Sequence, residues 1–305
     1  MKLGIALPQM GDETGPESIA KFAERAESLG YDSLWVNDRL MWPLNPREPY
    51  SDTPDGRLPE VYQRIFDPIE TLTFVTPLTK RVQLGTSIIV GPYQGPVLLA
   101  RRLATLDVLS NGRLICGVGV GWSSDEYDAC GIALRKRDTR MAELLQAMVA
   151  VWQNDTVEFH GKFYNIAPSK IGPKPLQKPY PPIYQSAFGE RSMRRLSQYC
   201  NGWNPPNPES WESFDRQFAD LQRYAREAGR DPRALGVILR AHVDMTDEPR
   251  AAAGKLFSGT FDQIKLDTRD AREHGVEHMF IELGFTPGMT LARMFAQMEQ
   301  LRALQ

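Results

Sequence analysis

Cysteine and histidine are scarce in this chain, three and four among 305 residues. Cys116, Cys130 and Cys200 form no pairs by spacing, and an odd number is poor material for a disulfide scaffold. A reducing compartment, the cytoplasm, is therefore expected. His160, His242, His274 and His278 stand at no metal-ligand spacing, with no Cys or Asp at a useful offset, so no metal site is expected. Long apolar runs are missing as well: nothing reaches the ~18 residues of a membrane span. The opening "MKLGIALPQM" meets Pro8 and Gln9 before a secretory core could form. The expectation is a protein neither exported nor membrane-spanning. There is no excess of one charge: 36 Lys and Arg against 38 Asp and Glu give a net −2. No basic stripe interleaves with aromatics, which speaks against nucleic acid. G-x-S-x-G, H-E-x-x-H and Walker motifs are absent.

What the chain does have is a steady alternation of short apolar runs with helical patterns, the mark of βα units around a parallel sheet. Eight strands are predicted: 3–7, 32–36, 82–90, 113–119, 182–187, 202–204, 237–245 and 278–283. Between them, Ile19, Phe22, Ala23, Ala26 and Leu29 recur at helical steps, with Pro16 near the start and Gly30 as the stop. Met141, Leu144, Leu145, Met148, Val149 and Trp152 make a second such stripe. Trp211, Phe214, Phe218 and Leu221, and Leu291, Met294, Phe295 and Met298, make two more, all read as core. The length suits either two average domains or one large barrel, and the alternation throughout favours one. The expected fold is α/β, a single (β/α)8 TIM barrel over residues 1–305 with loop insertions at its C-terminal face. Two breaks in the alternation, 42–66 and 154–181, are the candidate insertions, the second opening with a small hairpin in "TVEFHGKFYNI". Such insertions wall ligand sites in barrels.

Several strand ends carry residues suited to chemistry. "SLWVNDRLMWP" runs from an apolar strand straight into Asp38, Arg39 and Trp42, either a strand capped by solvated charge or the lip of an active site. "GVGVGW" (117–122) lacks the third glycine of a dinucleotide turn, because position 122 is Trp; its backbone amides can still approach a ligand, and a plain tight turn looks the same. In "SAFGERS" a helix starts after Gly189 with Glu190, Arg191 and Ser192 in its first turn, which suits a phosphate as well as an ordinary cap. "LGTSIIVGPYQGP" places Thr86 and Ser87 near a strand end, either beside a flat ring or capping the next helix. His160 and His274 read as solvated or structural, whereas His242, with Arg240 on the same strand face, is expected at the barrel mouth.

Taken together, "GYDSLWVNDRLMWP", "RVQLGTSIIV", "LLARRLATLDVLSNGRLICGVGVGW", "EYDACGI" and "PPIYQSAFGERSMRRLSQYCNGW" resemble the bacterial luciferase-like monooxygenase superfamily, and more narrowly its deazaflavin-dependent oxidoreductases, which use coenzyme F420. The resemblance implies a TIM barrel that holds a reduced flavin or deazaflavin at its strand C-termini. It implies a non-prolyl cis peptide at Ser87–Ile88, behind the ring. It makes Thr86, Ser87 and Ile88 cofactor-wall residues, Gly119, Val120, Gly121 and Trp122 a cofactor loop, and Ser186, Gly189, Glu190, Arg191 and Ser192 the phosphate end. Asp38, Arg39 and Trp42 fall at the catalytic position, where the branch commonly has Asp-His. Arginine stays protonated, so it can stabilise an anion on the ring or bind an acidic substrate but does not readily accept a proton. The alternative for Arg39 is a salt bridge to a loop acid such as Asp52 or Asp55. The activity implied is hydride transfer between F420 and a small organic substrate. A monooxygenase using reduced FMN from a separate reductase stands beside it, as does a barrel that binds flavin without turnover. Homo-oligomers, as a homodimer, are expected.

Overall fold

The computed structural model describes residues 1–51, 53, 55–251, 254–286 and 288–305. Eight parallel staves close on themselves: Lys2–Ala6, Ser33–Val36, Gln83–Thr86 continued by Ile89–Val90, Leu114–Gly119, Ile183–Gln185, Gly202–Trp203, Gly236–His242 and His278–Glu282. The first stave pairs with both the second and the last, and the third pairs with the fourth, which completes the ring. Helices over Pro16–Leu29, Pro68–Val75, Pro96–Leu109, Arg137–Gln153, Glu190–Tyr199, Trp211–Glu227, Phe261–Glu273 and Leu291–Leu301 cover the outside, so the fold is the expected TIM barrel. The predicted strand 82–90 is interrupted at Ser87–Ile88, where the peptide is cis, as the resemblance implied. The predicted strand 237–245 stops at His242; Asp244–Met245 pairs instead with Ser258–Gly259.

The period-two alternation of each stave sorts side chains between an outer and an inner core. Leu3, Ile5, Leu34, Val36, Met279 and Ile281 point outward into the main hydrophobic cluster with the helices. Ala6, Trp35, Ile115, Ile238 and Phe280 form a separate cluster inside the barrel. Trp35 stacks on Phe280 at 4.4 Å and fills most of that interior. It fits because its neighbours are glycine: a Cβ at Gly85 would lie 2.4 Å from the Trp35 ring, and one at Gly4 only 2.7 Å from its Nε1. Below this plug, Trp35 Nε1 donates to Ser33 Oγ at 2.6 Å, and Ser33 Oγ meets His278 Nε2 at 2.7 Å. Ser33, with one donor and two acceptor sites on its hydroxyl, thus links Trp35 to His278 beneath the plug.

Both insertions make contacts with the barrel among the described residues. The 42–66 segment is tied to the loop after the first stave by the Met10–Ile65 bridge and by Gln9 Nε2 donating to Phe66 O at 2.5 Å. The expected hairpin forms over Val157–His160 and Asn165–Ser169, its turn held by Glu143, whose carboxylate accepts from the amides of Lys162, Phe163 and Tyr164.

The His278 geometry has a thermodynamic consequence. Burial, and then Lys2 and the N-terminus, hold its pKa down to about 3. Below pH ~6.5 the unfolded chain takes up a proton that the folded chain refuses, so stability is full above that pH and falls on acidification by up to roughly 1.4 kcal/mol per pH unit. Urea unfolding between pH 6.5 and 4.5 is expected to show this slope, and His278→Leu to flatten it by about one proton. Parallel slopes for the two proteins would mean that His278 titrates normally.

Candidate functional site

Two residues above the plug, four of the inward positions become polar. Trp35 is followed by Asn37, Phe280 by Glu282, Ile238 by Arg240 and Gly85 by Ser87, because side chains two apart share a strand face. These groups lock together. Asn37 Nδ2 donates to Glu282 Oε2 at 2.9 Å, Arg240 Nη2 reaches the same oxygen at 3.4 Å, and Ser87 Oγ donates to Asn204 Oδ1 at 2.7 Å. Arg240 Nη1 also reaches Ser87 O at 3.4 Å, beside the cis peptide. The mouth thus has a rigid polar floor held by donors and acceptors from five different staves.

On one wall, Asp38, Arg39 and the helix Ser124–Ala129 meet. Asp38 Oδ2 accepts from Val90 N at 2.9 Å, which pins the second stave's loop to the third stave beyond the cis peptide. Arg39 Nε lies 3.3 Å from Glu126 Oε1. Its guanidinium carbon stands 5.0 Å from the Trp122 ring and 5.4 Å from the Tyr62 ring, two cation–π contacts. Glu126 Oε1 accepts from Leu40 N at 2.9 Å and Met41 N at 3.2 Å, while Oε2 accepts from Tyr93 Oη at 2.8 Å. Burial pushes the Asp38 carboxyl up to about 6; the Val90 amide opposes that rise, the Glu126 charge adds to it, and Arg39 and Arg102 oppose it. Burial and then Glu126 hold the Tyr93 phenol far above its ordinary value, so it remains a donor.

Across the mouth, the helices Arg137–Gln153 and Glu190–Tyr199 begin side by side, bridged by Arg195. This arginine is 5% exposed; its Nη1 contacts Asp138 Oδ1 at 2.8 Å and its Nε donates to Gln185 at 3.2 Å. Arg140 stacks on Phe163 at 4.6 Å and on Tyr164 at 5.6 Å. Buried atoms without a hydrogen-bond partner gather here: Arg137 Nε, Arg140 Nε, Arg195 Nη2 and Tyr164 Oη. All of these are donors, next to two helix N-termini, and such a setting suits an anion. Tyr127, whose hydroxyl donates to Val120 O, ties this region to the 119–122 loop.

The expected residues are distributed as follows. Ser87 and Ile88 carry the cis bond, and Ile88 fills the space over Gly119, where a Cβ would sit 2.5 Å from its Cδ1. Thr86 is fully buried, its hydroxyl committed to Gly117 O at 2.8 Å and Gly117 N at 2.9 Å, so it locks two staves together. Gly121 has φ +67, a left-handed turn that carries Trp122 towards Arg39. Trp42 is half-buried and donates to Leu58 O at 3.4 Å. Gly189 opens its helix with nothing within 4 Å of where a methyl group would stand; Ser192 Oγ accepts from the Gly189 amide at 3.1 Å, and Glu190 pairs with Arg194. Arg191 is exposed, with Ser186 half-buried at the adjoining stave end. Asp55 pairs with Arg57 at 3.7 Å, and Asp52 lies outside the described residues. The acid beside Arg39 is Glu126, brought there by a helix some 87 positions downstream. Sequence reasoning missed Glu126, Tyr62, Arg137, Arg140 and Arg195; "EYDACGI" marked the first of these as part of a motif without showing its partner. His242 does stand at the mouth, 5.3 Å from Phe285, and burial, then Arg240 and Lys255, lower its pKa. His160 and His274 pair with Glu158 and Asp215 on the surface, as expected. No group of metal ligands and no helix long and apolar enough to cross a membrane occurs among the described residues.

Comparison with known proteins bears on this geometry. The sequence profile of the family described as luciferase-like monooxygenase matches residues 1–294. An uncharacterised protein of Mycobacterium tuberculosis (strain ATCC 25618 / H37Rv) is 33% identical over 213 residues, covering 70% of this chain and 75% of that protein. The F420-dependent glucose-6-phosphate dehydrogenase of Amycolatopsis mediterranei is 30% identical, covering 74% of this chain and 64% of that protein. The FMNH(2)-dependent dimethylsulfone monooxygenase of Pseudomonas putida is also 30% identical, covering 59% of this chain and 50% of its own. In fold, monooxygenase RslO1 from Streptomyces bottropensis matches with a TM-score of 0.80 at 21% identity, covering 99% of this chain and 98% of its own.

The Asp38–Glu126 coupling is directly measurable. Carboxyl-carbon NMR is expected to place the Asp38 midpoint near 6, and Glu126→Gln, which removes the charge while keeping an acceptor for the amides, to lower it. An unmoved midpoint would show that the two carboxyls do not interact.

Proposed function

The chain belongs to the luciferase-like monooxygenase family, and we propose that it is an oxidoreductase that transfers a hydride between the deazaflavin coenzyme F420 and a small organic substrate. The observation that carries this reading is the group of unsatisfied buried donors on Arg137, Arg140, Arg195 and Tyr164, next to the glycine-led helix start at Gly189. Donors without acceptors in a folded interior are rare and call for a ligand. An anionic chain on a ring cofactor suits them, and the exposed Arg191 extends the same cradle. Ser87, Ile88, Gly119, Val120, Gly121 and Trp122 form the adjoining wall, where the ring would rest. When bound, the deazaflavin supplies or takes up the hydride.

The protein's own residues have separate tasks. The polar floor of Asn37, Ser87, Asn204, Arg240 and Glu282 resists displacement because each member is tied to another stave. Asp38 holds the 38–42 loop to the third stave through Val90, and Trp42 and Trp122 give the mouth apolar walls. With no neutral histidine at position 39, proton acceptance falls to Asp38, whose raised pKa brings it near neutrality. A reduced-FMN monooxygenase fed by a separate reductase is the second reading, favoured by the same cradle, which accepts a terminal phosphate equally well.

Absorbance titration of the purified protein with F420 and with FMN, each oxidised and reduced, separates the two readings: the cofactor bound at least tenfold more tightly is the one used. For the cradle, Gly189→Asp is the sharpest variant. A methyl group there meets nothing, and aspartate is a favoured N-cap, so folding is expected to survive while a fixed negative charge repels the cofactor. Cofactor affinity is expected to fall by roughly tenfold or more at an unchanged melting temperature. Unchanged affinity would place the phosphate elsewhere.

A further inference from the structure

We propose that the substrate is a carboxylate-bearing organic molecule and that Arg39 is the residue that recognises it; this rests on the barrel mouth being the active site, as in the proposed function.

Arg39 differs from Arg113, Arg195 and Arg250, whose guanidinium groups are hydrogen-bonded to the protein even where one nitrogen is left over. Arg113 donates to Ser110 O, Thr79 Oγ1, Val82 O and Thr76 O. Arg250 grips both oxygens of Asp267, and Arg195 is held by Gln185 and Asp138. The Arg39 side chain is only 7% exposed, yet its Nε and Nη1 are buried without a hydrogen-bond partner. Glu126 stands 3.3 Å from Nε as an ion pair without a hydrogen bond, its oxygens accepting instead from Leu40, Met41 and Tyr93. A buried charged donor left unmade is among the costlier defects a fold can carry.

The guanidinium is also held in one orientation. The Trp122 and Tyr62 rings lie 5.0 and 5.4 Å from the guanidinium carbon and Glu126 stands at its Nε edge, so the Nη1 end is the one left for a ligand. A planar edge with parallel donors matches a carboxylate, which accepts two such bonds at once. The aromatic arc continues from Trp122 through Tyr50 and Tyr62 to Phe285, with consecutive centroids 5.7, 6.3 and 5.3 Å apart, so the body of the ligand would lie against rings. Arg240, stacked on Phe285 at 5.1 Å, adds a second positive wall at the far end of that arc. Of the facing acids, Glu126 accepts from Leu40, Met41 and Tyr93, Glu282 from Asn37 and Gly284, and Asp38 from the Val90 amide, and these donors offset part of their charge.

The test uses benzoate, phenylacetate and hexanoate with their primary amides as neutral counterparts, added to the cofactor-loaded protein and followed by saturation-transfer NMR and tryptophan fluorescence. At least one carboxylate is expected to bind, with its amide weaker by roughly ten- to a hundredfold, the range of a charge-assisted pair. Arg39→Ala is expected to lose that preference while titrating cofactor like the wild type, and Arg39→Lys to restore part of it. If no carboxylate is preferred over its amide, or if Arg39→Ala loses cofactor and carboxylate affinity together, the proposal is overturned. Arg39-dependent carboxylate binding in a protein that takes up neither F420 nor FMN would uphold it and sink the proposed function instead.

Discussion

The stacking of Trp35 on Phe280 inside the barrel is the constraint from which the mouth follows. A closed ring of eight strands leaves an interior that must be filled, and here one indole and one phenyl ring from neighbouring regions of the ring do most of it. They fit only because Gly4 and Gly85 withhold their side chains. Once that middle layer is apolar and full, strand periodicity sends the next inward residues, Asn37, Ser87, Arg240 and Glu282, up to the C-terminal rim, where they meet each other and the ligand space. The layer beneath, Ser33 with His278, is polar too, but it is sealed and used for packing. Similar residue types therefore lie in a sealed layer on one side of the plug and at the candidate site on the other.

Charge at the rim is arranged by saturation. Glu126 and Glu282 are each given donors from backbone and side chains until little acceptor capacity is left. The cations face the opposite situation, with Arg39, Arg137, Arg140 and Arg195 each keeping a buried donor unmet. A site with its acceptors consumed and its donors in surplus favours anions at two places, the cradle at the paired helix starts and the edge of Arg39. Asp38 lies in the same field, and burial together with Glu126 keeps its carboxyl close to the point of protonation.

Much of this was legible in the residues. The eight staves, the helix stripes, the hairpin and both insertions follow from hydrophobic period and from glycine and proline placement, and those signals are local. The residues near the rim were legible for a related reason: in a barrel every strand's C-terminal end reaches the same face, so Asp38, Ser87, Gly119, Gly189 and His242 could be assigned to one mouth without knowing any contact. The limits fell where a local signal had two meanings. The run 82–90 reads as one strand, yet it changes course at Ser87–Ile88, and Thr86, polar at a strand end, turned out to bind the neighbouring stave through Gly117.

The sequence by itself determined the barrel and the strand ends that share its C-terminal face, because both depend on spacing within a few residues; the departure at position 39 was visible through the family resemblance. Only the tertiary structure decided what Arg39 meets. Loop acids close in sequence were the natural partners to consider, but the chain brings Glu126 and Trp122 from one stave end and Tyr62 from an insertion around it. It likewise assembles Arg137, Arg140 and Arg195 from two helices separated by a hairpin and a proline-rich crossing. Such partners are set by the closure of the ring, which makes neighbours of residues far apart in the chain, and no local pattern records them.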